Sequence, residues 1–298
     1  MGWLSGLAWV AGGAAALVGV VGVLLYVYQE KLLYFPAMPI QDPDDNPRGF
    51  RNPEEQGMPY EDVFMTTRDG VRIHGWLIKR PNAHEVPTLV YFHGNAGNIG
   101  LRLSHAREVW AKIQVNIFLV DYRGYGKSQG RPSEAGLILD AEAALRALRE
   151  DPKCKVDLSK VLVFGRSLGG AVALAAADEY SDRVAGVVVE NTFLSMSHMV
   201  DVVLPILSRI KPLVLRMRWD NEERVRRIKQ PVLFVSGMRD ELIPPWQMRA
   251  LYSACPESVG RSLLPVASGT HNDTWLRGGE QYLEVLAAFI AQVSTAMT

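Results

Sequence analysis

Gly165-Arg166-Ser167-Leu168-Gly169 sets a serine between glycines where a β-branched run, Val161–Phe164, gives way to an Ala-rich one beginning at Leu168. A serine hydroxyl is a weak nucleophile until a base takes its proton and an acid orients that base. Held in a sharp strand-to-helix turn, the hydroxyl stands exposed at the strand end, and the N-terminus of the following helix faces developing negative charge. The flanking glycines let strand and helix approach without Cβ clashes. Five such letters also occur by chance. A strand before them, a helix after them and a third glycine, Gly170, make the signal specific.

In turns of this kind the acid and then the base follow the serine along the chain. Of the six histidines, only His198 and His271 come after Ser167. His271 lies in Ala267-Ser268-Gly269-Thr270-His271-Asn272, a loop following the last expected strand, and is the expected base. His198 precedes the good acid candidates and is expected to pack or to face solvent. Asp240, just past the run Val232–Ser236, is the expected acid; Glu190 and the adjacent Glu241 are its rivals. An acyl-transfer oxyanion needs two backbone N–H donors. Leu168, directly after the serine, is one. Asn95, in the His93-Gly94-Asn95-Ala96-Gly97-Asn98 loop after Thr88–Phe92, is the other, with a side chain able to add to the site.

Other chemistries find little support. Gly126-Lys127-Ser128 looks like the end of a phosphate-binding loop, but that motif needs a glycine where Asp121 stands. No His, Cys and Glu grouping has zinc spacing, so no metal is expected. The 32 basic and 32 acidic residues cancel, and no overall field points to nucleic acid. Cys154 and Cys255 lack C-x-x-C spacing; reduced, partly buried thiols are the expectation, with one disulfide left open.

The elements that must position these residues read as short β-branched runs alternating with helix-length amphipathic segments, the pattern of a mostly parallel sheet. Asp62–Thr67 and Val71–Ile78 form an opening antiparallel hairpin around Arg68-Asp69-Gly70. Further strands are expected at Thr88–Phe92, Asn116–Val120, Val161–Phe164, Ala185–Val189, Val232–Ser236 and Arg261–Pro265. Helices are expected near Arg102–Lys112, Ser133–Arg149, Leu168–Tyr180, Pro245–Cys255 and Gly279–Val293. At 298 residues and 48% hydrophobic, the chain has enough core for one such α/β domain over residues 61–298. Its alternation is broken by a helical insert at about 193–228 that could serve as a lid.

Upstream, Met1 to Gln29 carries no charged side chain. Residues 4–28 are apolar and exceed the roughly 20 residues a spanning helix needs, with Trp3, Trp9, Tyr26 and Tyr28 as interfacial rings. A cleaved signal peptide fits less well, lacking a basic start and a small-x-small site. Residues 29–60, rich in Pro, Asp and Glu, read as a connector. A lone Lys31 after the span leans the catalytic domain toward the cytosol. Asn272-Asp273-Thr274 has the form of a glycosylation triplet, but its place directly after His271 argues against a glycan. From Arg209 to Lys229 eight basic residues stand among Val, Leu, Ile and Met. A basic amphipathic lid resting on anionic lipid and a cap helix packed on the core with a solvated basic face are equal expectations.

Taken together, Phe92-His93-Gly94-Asn95-Ala96-Gly97-Asn98, Asp121-Tyr122-Arg123-Gly124-Tyr125-Gly126, Gly165-Arg166-Ser167-Leu168-Gly169-Gly170, Asp240 with Pro244, and Gly269-Thr270-His271-Asn272 resemble the ABHD/BEM branch of the α/β hydrolases. The resemblance covers roughly residues 55–295, and a Tyr34-Phe35-Pro36 exit from an N-terminal anchor is similar too. It implies an α/β-hydrolase fold with an eight-stranded sheet and helices on both faces. It also implies a cofactor-free Ser167–His271–Asp240 triad in an integral membrane protein of the endoplasmic reticulum or plasma membrane. Substrate is far less specified, since the branch resembles lipases, thioesterases that remove palmitate from proteins, and members without a settled substrate. The expectation is a membrane-anchored serine esterase or thioesterase acting on an acyl ester or thioester beside membrane lipid. The alternatives are a peptidase of the same fold, which would need a gating domain for which these residues leave no room, and a catalytically silent membrane scaffold. Intact catalytic positions argue against the scaffold.

Overall fold

The computed structural model describes the backbone of residues 2–295 and the side chains of residue 9 and of residues 19–295. The apolar runs form β1 (Tyr60–Thr66), β2 (Arg72–Ile78), β3 (Thr88–Phe92), β4 (Asn116–Asp121), β5 (Val161–Arg166), β6 (Gly186–Glu190), β7 (Val232–Gly237) and β8 (Arg261–Val266). They make one eight-stranded sheet in the order β1-β2-β4-β3-β5-β6-β7-β8. β2 pairs antiparallel with β1 and β4, and the other neighbours are parallel. Every residue of β3, β4, β5, β6 and β7 is buried, so these strands read as continuous apolar runs rather than alternating ones.

The helices are α1 (Gly2–Leu33), α2 (Leu103–Lys112), α3 (Glu134–Glu150), α4 (Leu168–Glu179), α5 (Met196–Val203), α6 (Lys211–Val214), α7 (Asn221–Arg227), α8 (Pro245–Ala254) and α9 (Thr274–Thr295). Alternate strand residues feed two cores. Val90 and Phe92 join α3, α4 and α8 on one face, while Leu89 and Tyr91 join α2 and α9 on the other. α3 opens at Ser133, whose Oγ accepts the Gly136 N–H at 3.1 Å. α9 kinks at Gly279, with φ 53°. Cys154 and Cys255 are free and buried. Burial pushes their thiols up, to about 12 and about 11 respectively.

The insert between β6 and β7 is not one basic helix. Pro205 opens a 3₁₀ turn and Pro212 sits in the first turn of α6, so the segment breaks into short pieces. Its cations turn to the protein. Arg224 and Arg227 reach Asp178 of α4 at 3.4 and 2.6 Å, Arg216 reaches Glu30 at 3.1 Å, and Lys211 pairs with Asp201. The basic face expected from composition is thus largely spent on ion pairs within the chain. α7 is tied to α4, which leaves 196–215 as the cap.

α1 runs on to Leu33, past the point where the connector was expected to begin. Gln29, buried, clips it to the cap. Its Nε2 donates to Val214 O at 3.1 Å, and its Oε1 accepts from the N–H groups of Arg216 and Met217 at 2.8 and 2.9 Å. Residues 34–59 then wrap over the domain, with Tyr34 in the main core and short 3₁₀ turns at Pro43–Asp45 and Pro53–Gln56. Among the described residues no helix is long and apolar enough to cross a membrane. The span expected over 4–28 lies mostly outside the residues whose side chains are described.

Candidate active site

β5 ends at Arg166 and α4 begins at Leu168, so Ser167 makes the whole turn, with φ 56° and ψ −121°. An L-residue adopts such a conformation only where its surroundings impose it. Here Ser167 N–H donates to Glu190 O at 2.9 Å, and its own carbonyl accepts the Thr192 hydroxyl at 2.8 Å. Glycine is obligatory on both sides. A Cβ on Gly165 would lie 1.9 Å from Gly169 O, and one on Gly169 would lie 2.0 Å from Phe92 O.

The loops after β7 and β8 bring two more groups to this edge of the sheet. Ser167 Oγ is 3.1 Å from His271 Nε2, and His271 Nδ1 is 2.8 Å from Asp240 Oδ2. All three residues are buried. A carboxylate only accepts, so Nδ1 carries the proton and Nε2 faces the serine as an acceptor. Asp240 Oδ1 accepts the N–H groups of Leu242 and Ile243 at 2.9 and 2.8 Å, which locks the carboxylate and compensates its burial. The rival acids are engaged elsewhere. Glu241 accepts the backbone N–H of His271 at 3.3 Å. Glu190 accepts the Tyr282 hydroxyl at 2.8 Å, and its burial, opposed by the charge of Arg166, raises its pKa. His198 bonds Ser195, the N-cap of α5, at 2.8 Å.

Two positioning residues escape a reading of the sequence. Asn191, directly after β6 with φ 48°, ties three loops together. Its Nδ2 donates to Thr270 O, His271 O and Thr274 Oγ1 at 3.0, 3.3 and 2.9 Å, and its Oδ1 accepts Gly237 N–H at 2.7 Å. Arg166 reaches Asn272 O at 3.1 Å. The one available signal is an Asn at a strand end on the site edge, since Asn tolerates left-handed backbone. Asn191→Ala frees the His271 loop, and a displacement near 1 Å costs up to about a hundredfold in rate. The expected result is kcat for ester hydrolysis lowered by about 10–100-fold, with KM nearly unchanged. A fall in KM-dependent terms alone would assign Asn191 to substrate binding instead.

The loop after β3 is held one carbonyl at a time. His93 O accepts the Tyr122 hydroxyl at 2.9 Å, Gly94 O is 2.7 Å from His93 Nδ1, and Asn95 O accepts the Tyr125 hydroxyl at 2.9 Å and Phe35 N–H at 2.9 Å. Burial holds the His93 imidazole well below its ordinary pKa, hence neutral, and a carbonyl partner requires the proton on Nδ1. Because the peptide is planar and trans, fixing Gly94 O also fixes the Asn95 N–H pointing the opposite way. A Cβ on Gly94 would sit 3.8 Å from Ser167 Cβ, so this loop lies against the turn. Leu168, the first residue of α4, has one of the N–H groups that a helix leaves without an internal partner. The Asn95 side chain, which lines the cavity, donates from Nδ2 to Leu33 O at 2.8 Å. The Asp121–Gly126 turn thus contributes the two phenols that hold this loop.

From Ser167 opens a cavity of about 490 Å³. Apart from the serine, its walls are almost wholly apolar, with Phe193, Met196, Val200, Leu204 and Ile243 among them. No grouping of His, Cys, Asp and Glu that could hold a metal occurs among the described residues. Chemically, the arrangement combines a hydroxyl beside an imidazole, a buried carboxyl group behind it, backbone N–H groups alongside, and space for an apolar group.

Comparison with known proteins is consistent with this geometry. A family described as serine aminopeptidase, S33, matches residues 83–219. Protein bem46 of Schizosaccharomyces pombe is 41% identical over 90% of this chain and 87% of its own. A Saccharomyces cerevisiae protein, YNL320W, described as an uncharacterized membrane protein, is 35% identical over 94% of this chain and 95% of its own. Among solved structures, the Pyrococcus furiosus esterase Pf2001 superposes with a TM-score of 0.67 at 22% identity, over 81% of this chain and 95% of that one.

Proposed function

Since the chain belongs to the ABHD/BEM branch of the α/β hydrolases, we propose that it is a membrane-anchored serine hydrolase cleaving carboxylic esters or thioesters of lipidic, acylated substrates. The observation that carries this reading is the apolar cavity leading from the Ser167 hydroxyl, itself 3.1 Å from the His271 imidazole. Ser167 Oγ attacks the acyl carbonyl while His271 Nε2 takes its proton. Asp240 steadies the resulting imidazolium, and the N–H groups of Asn95 and Leu168 receive the oxyanion. Collapse breaks the C–O or C–S bond, and His271 returns the proton to the leaving alcohol or thiol. Water, deprotonated by the same imidazole, then releases the acid from Ser167. Cofactor-free chemistry is sufficient throughout.

The anchor belongs to the same reading. The uncharged stretch from Met1 to Gln29 inserts residues 4–28 in the bilayer, with residues 29–60 linking to the hydrolase domain and 193–228 covering it. Large apolar side chains left in solvent support membrane contact. Ile206 and Leu213 of the cap are 87% and 80% exposed, beside Val20, Val23 and Leu24 on α1. The description of the yeast relative as a membrane protein points the same way.

A peptidase reading has one observation in its favour, the description of the matching family as a serine aminopeptidase. Recognition of a peptide N-terminus needs an anion to receive the ammonium group. Lys211 is the sole ionisable side chain lining this cavity among the described residues. The full-length protein in detergent should therefore hydrolyse butyryl, lauroyl and palmitoyl esters and thioesters and leave aminoacyl anilides intact. Turnover of the anilides with no turnover of esters would sink the proposal.

A further inference from the structure

We infer that α1 is itself a wall of the acyl-binding site, so that the substrate's chain lies along α1 and enters from the bilayer beside it. This inference rests on the hydrolase reading above and goes further, because it makes the proposed tether a determinant of specificity. Leu25, Gln29, Leu32 and Leu33 all line the cavity that opens at Ser167. Their spacing of four, seven and eight residues puts them on one face of the helix. The near end is fixed at the reacting centre, where Leu33 O accepts Asn95 Nδ2 at 2.8 Å and Phe35 N–H donates to Asn95 O at 2.9 Å. From Leu33 back to Leu25 the helix rises about 12 Å, heading into the proposed membrane segment.

The far wall is the cap. The Cβ that Gly22 lacks would lie 3.6 Å from Val214 Cγ1, so α1 and α6 touch closely beyond Leu25. The two polar side chains added by α1 and α6 have their hydrogen bonds spent within the protein. Gln29 donates to Tyr26 O and Val214 O and accepts from Arg216 and Met217. Lys211 pairs with Asp201 and donates to Ser197 O at 3.0 Å. With these groups largely engaged and the other walls almost wholly apolar, the channel between α1 and the cap suits a hydrocarbon chain. α1 and the cap, the two walls of this channel, also carry the exposed apolar side chains Val20, Val23, Leu24, Ile206 and Leu213, which a lipid phase would cover. The occupant is one long acyl chain, ester- or thioester-linked, carried by a molecule in the leaflet on the hydrolase-domain side.

The test compares kcat/KM for palmitoyl and butyryl esters in full-length protein in detergent. Leu25→Trp fills the channel two turns from Leu33. Because each buried methylene is worth about fourfold, exclusion of two or more should lower the palmitoyl-to-butyryl ratio by at least about tenfold. Val23→Trp, on the face of α1 turned away from the cavity, should leave that ratio within about twofold. An unchanged ratio in Leu25→Trp, or an equal fall in Val23→Trp, overturns the inference. A second measurement needs no variant. A long-chain alkyl fluorophosphonate with a terminal diazirine, once attached to Ser167 of the wild-type protein, should cross-link on irradiation to 20–33 or to 203–214. Cross-links confined to other segments overturn the inference while leaving the hydrolase reading intact. Failure of the probe to label Ser167 removes the hydrolase reading itself.

Discussion

Ser167→Ala should lower kcat for ester hydrolysis by about a millionfold, to the level left by binding and the oxyanion donors alone, with the melting temperature nearly unchanged. The loss follows from chemistry, since alanine has no atom to form the acyl-enzyme. The preserved fold follows from the turn. Ser167 N–H and O are held by Glu190 O and Thr192 Oγ1, bonds that alanine keeps, and its Cβ occupies the same place. Fluorophosphonate labelling of the full-length protein reads the same residue without knowledge of the substrate and should vanish. Labelling that persists in a folded Ser167→Ala protein would mean that another serine is the nucleophile.

Asp240→Asn should cost about 10⁴-fold in kcat, a magnitude known for this exchange in serine proteases, and the geometry supplies a reason specific to this chain. The N–H groups of Leu242 and Ile243 both point at Oδ1. They would hold the asparagine oxygen there and turn its NH₂ toward His271 Nδ1. An NH₂ donates, so Nδ1 must become the acceptor and the ring proton moves to Nε2, facing Ser167. The base is then blocked while every contact is kept. Steady-state kinetics on the best ester, with circular dichroism to confirm the fold, gives the answer. A loss below about tenfold would transfer the acid role to Glu190 or Glu241.

The parts of this site carried by local spacing were legible in the sequence. Gly165, Gly169 and the strand-to-helix change around Ser167 announce a turn because only glycine fits against Gly169 O and Phe92 O. The central strands β3 to β7 were legible because each is buried throughout, which leaves an unbroken apolar run. Asp240 and His271 were readable as loop residues after strands, though only the folded chain sets Asp240, rather than Glu190 or Glu241, against the His271 ring. What could not be read depends on contacts between distant residues. The cations of 209–229 looked like one basic face because their partners Glu30, Asp178 and Asp201 lie elsewhere in the chain. Asn191 has no motif, only a place where three loops need the same amide. Nothing in the periodicity of residues 25–33 distinguishes a helix that merely tethers from one that lines a cavity at Ser167.

The turn at Ser167 also bears on how this protein would respond to selection for heat resistance. A serine at φ 56° costs about 1–3 kcal/mol, against a total margin of about 5–15 kcal/mol for a typical domain. Position 167 is therefore among the places where a library ranked by thermal tolerance would find its gains, with glycine the favoured replacement. Thermostability and turnover are opposed at that one residue, and a screen for robust variants has to hold it fixed.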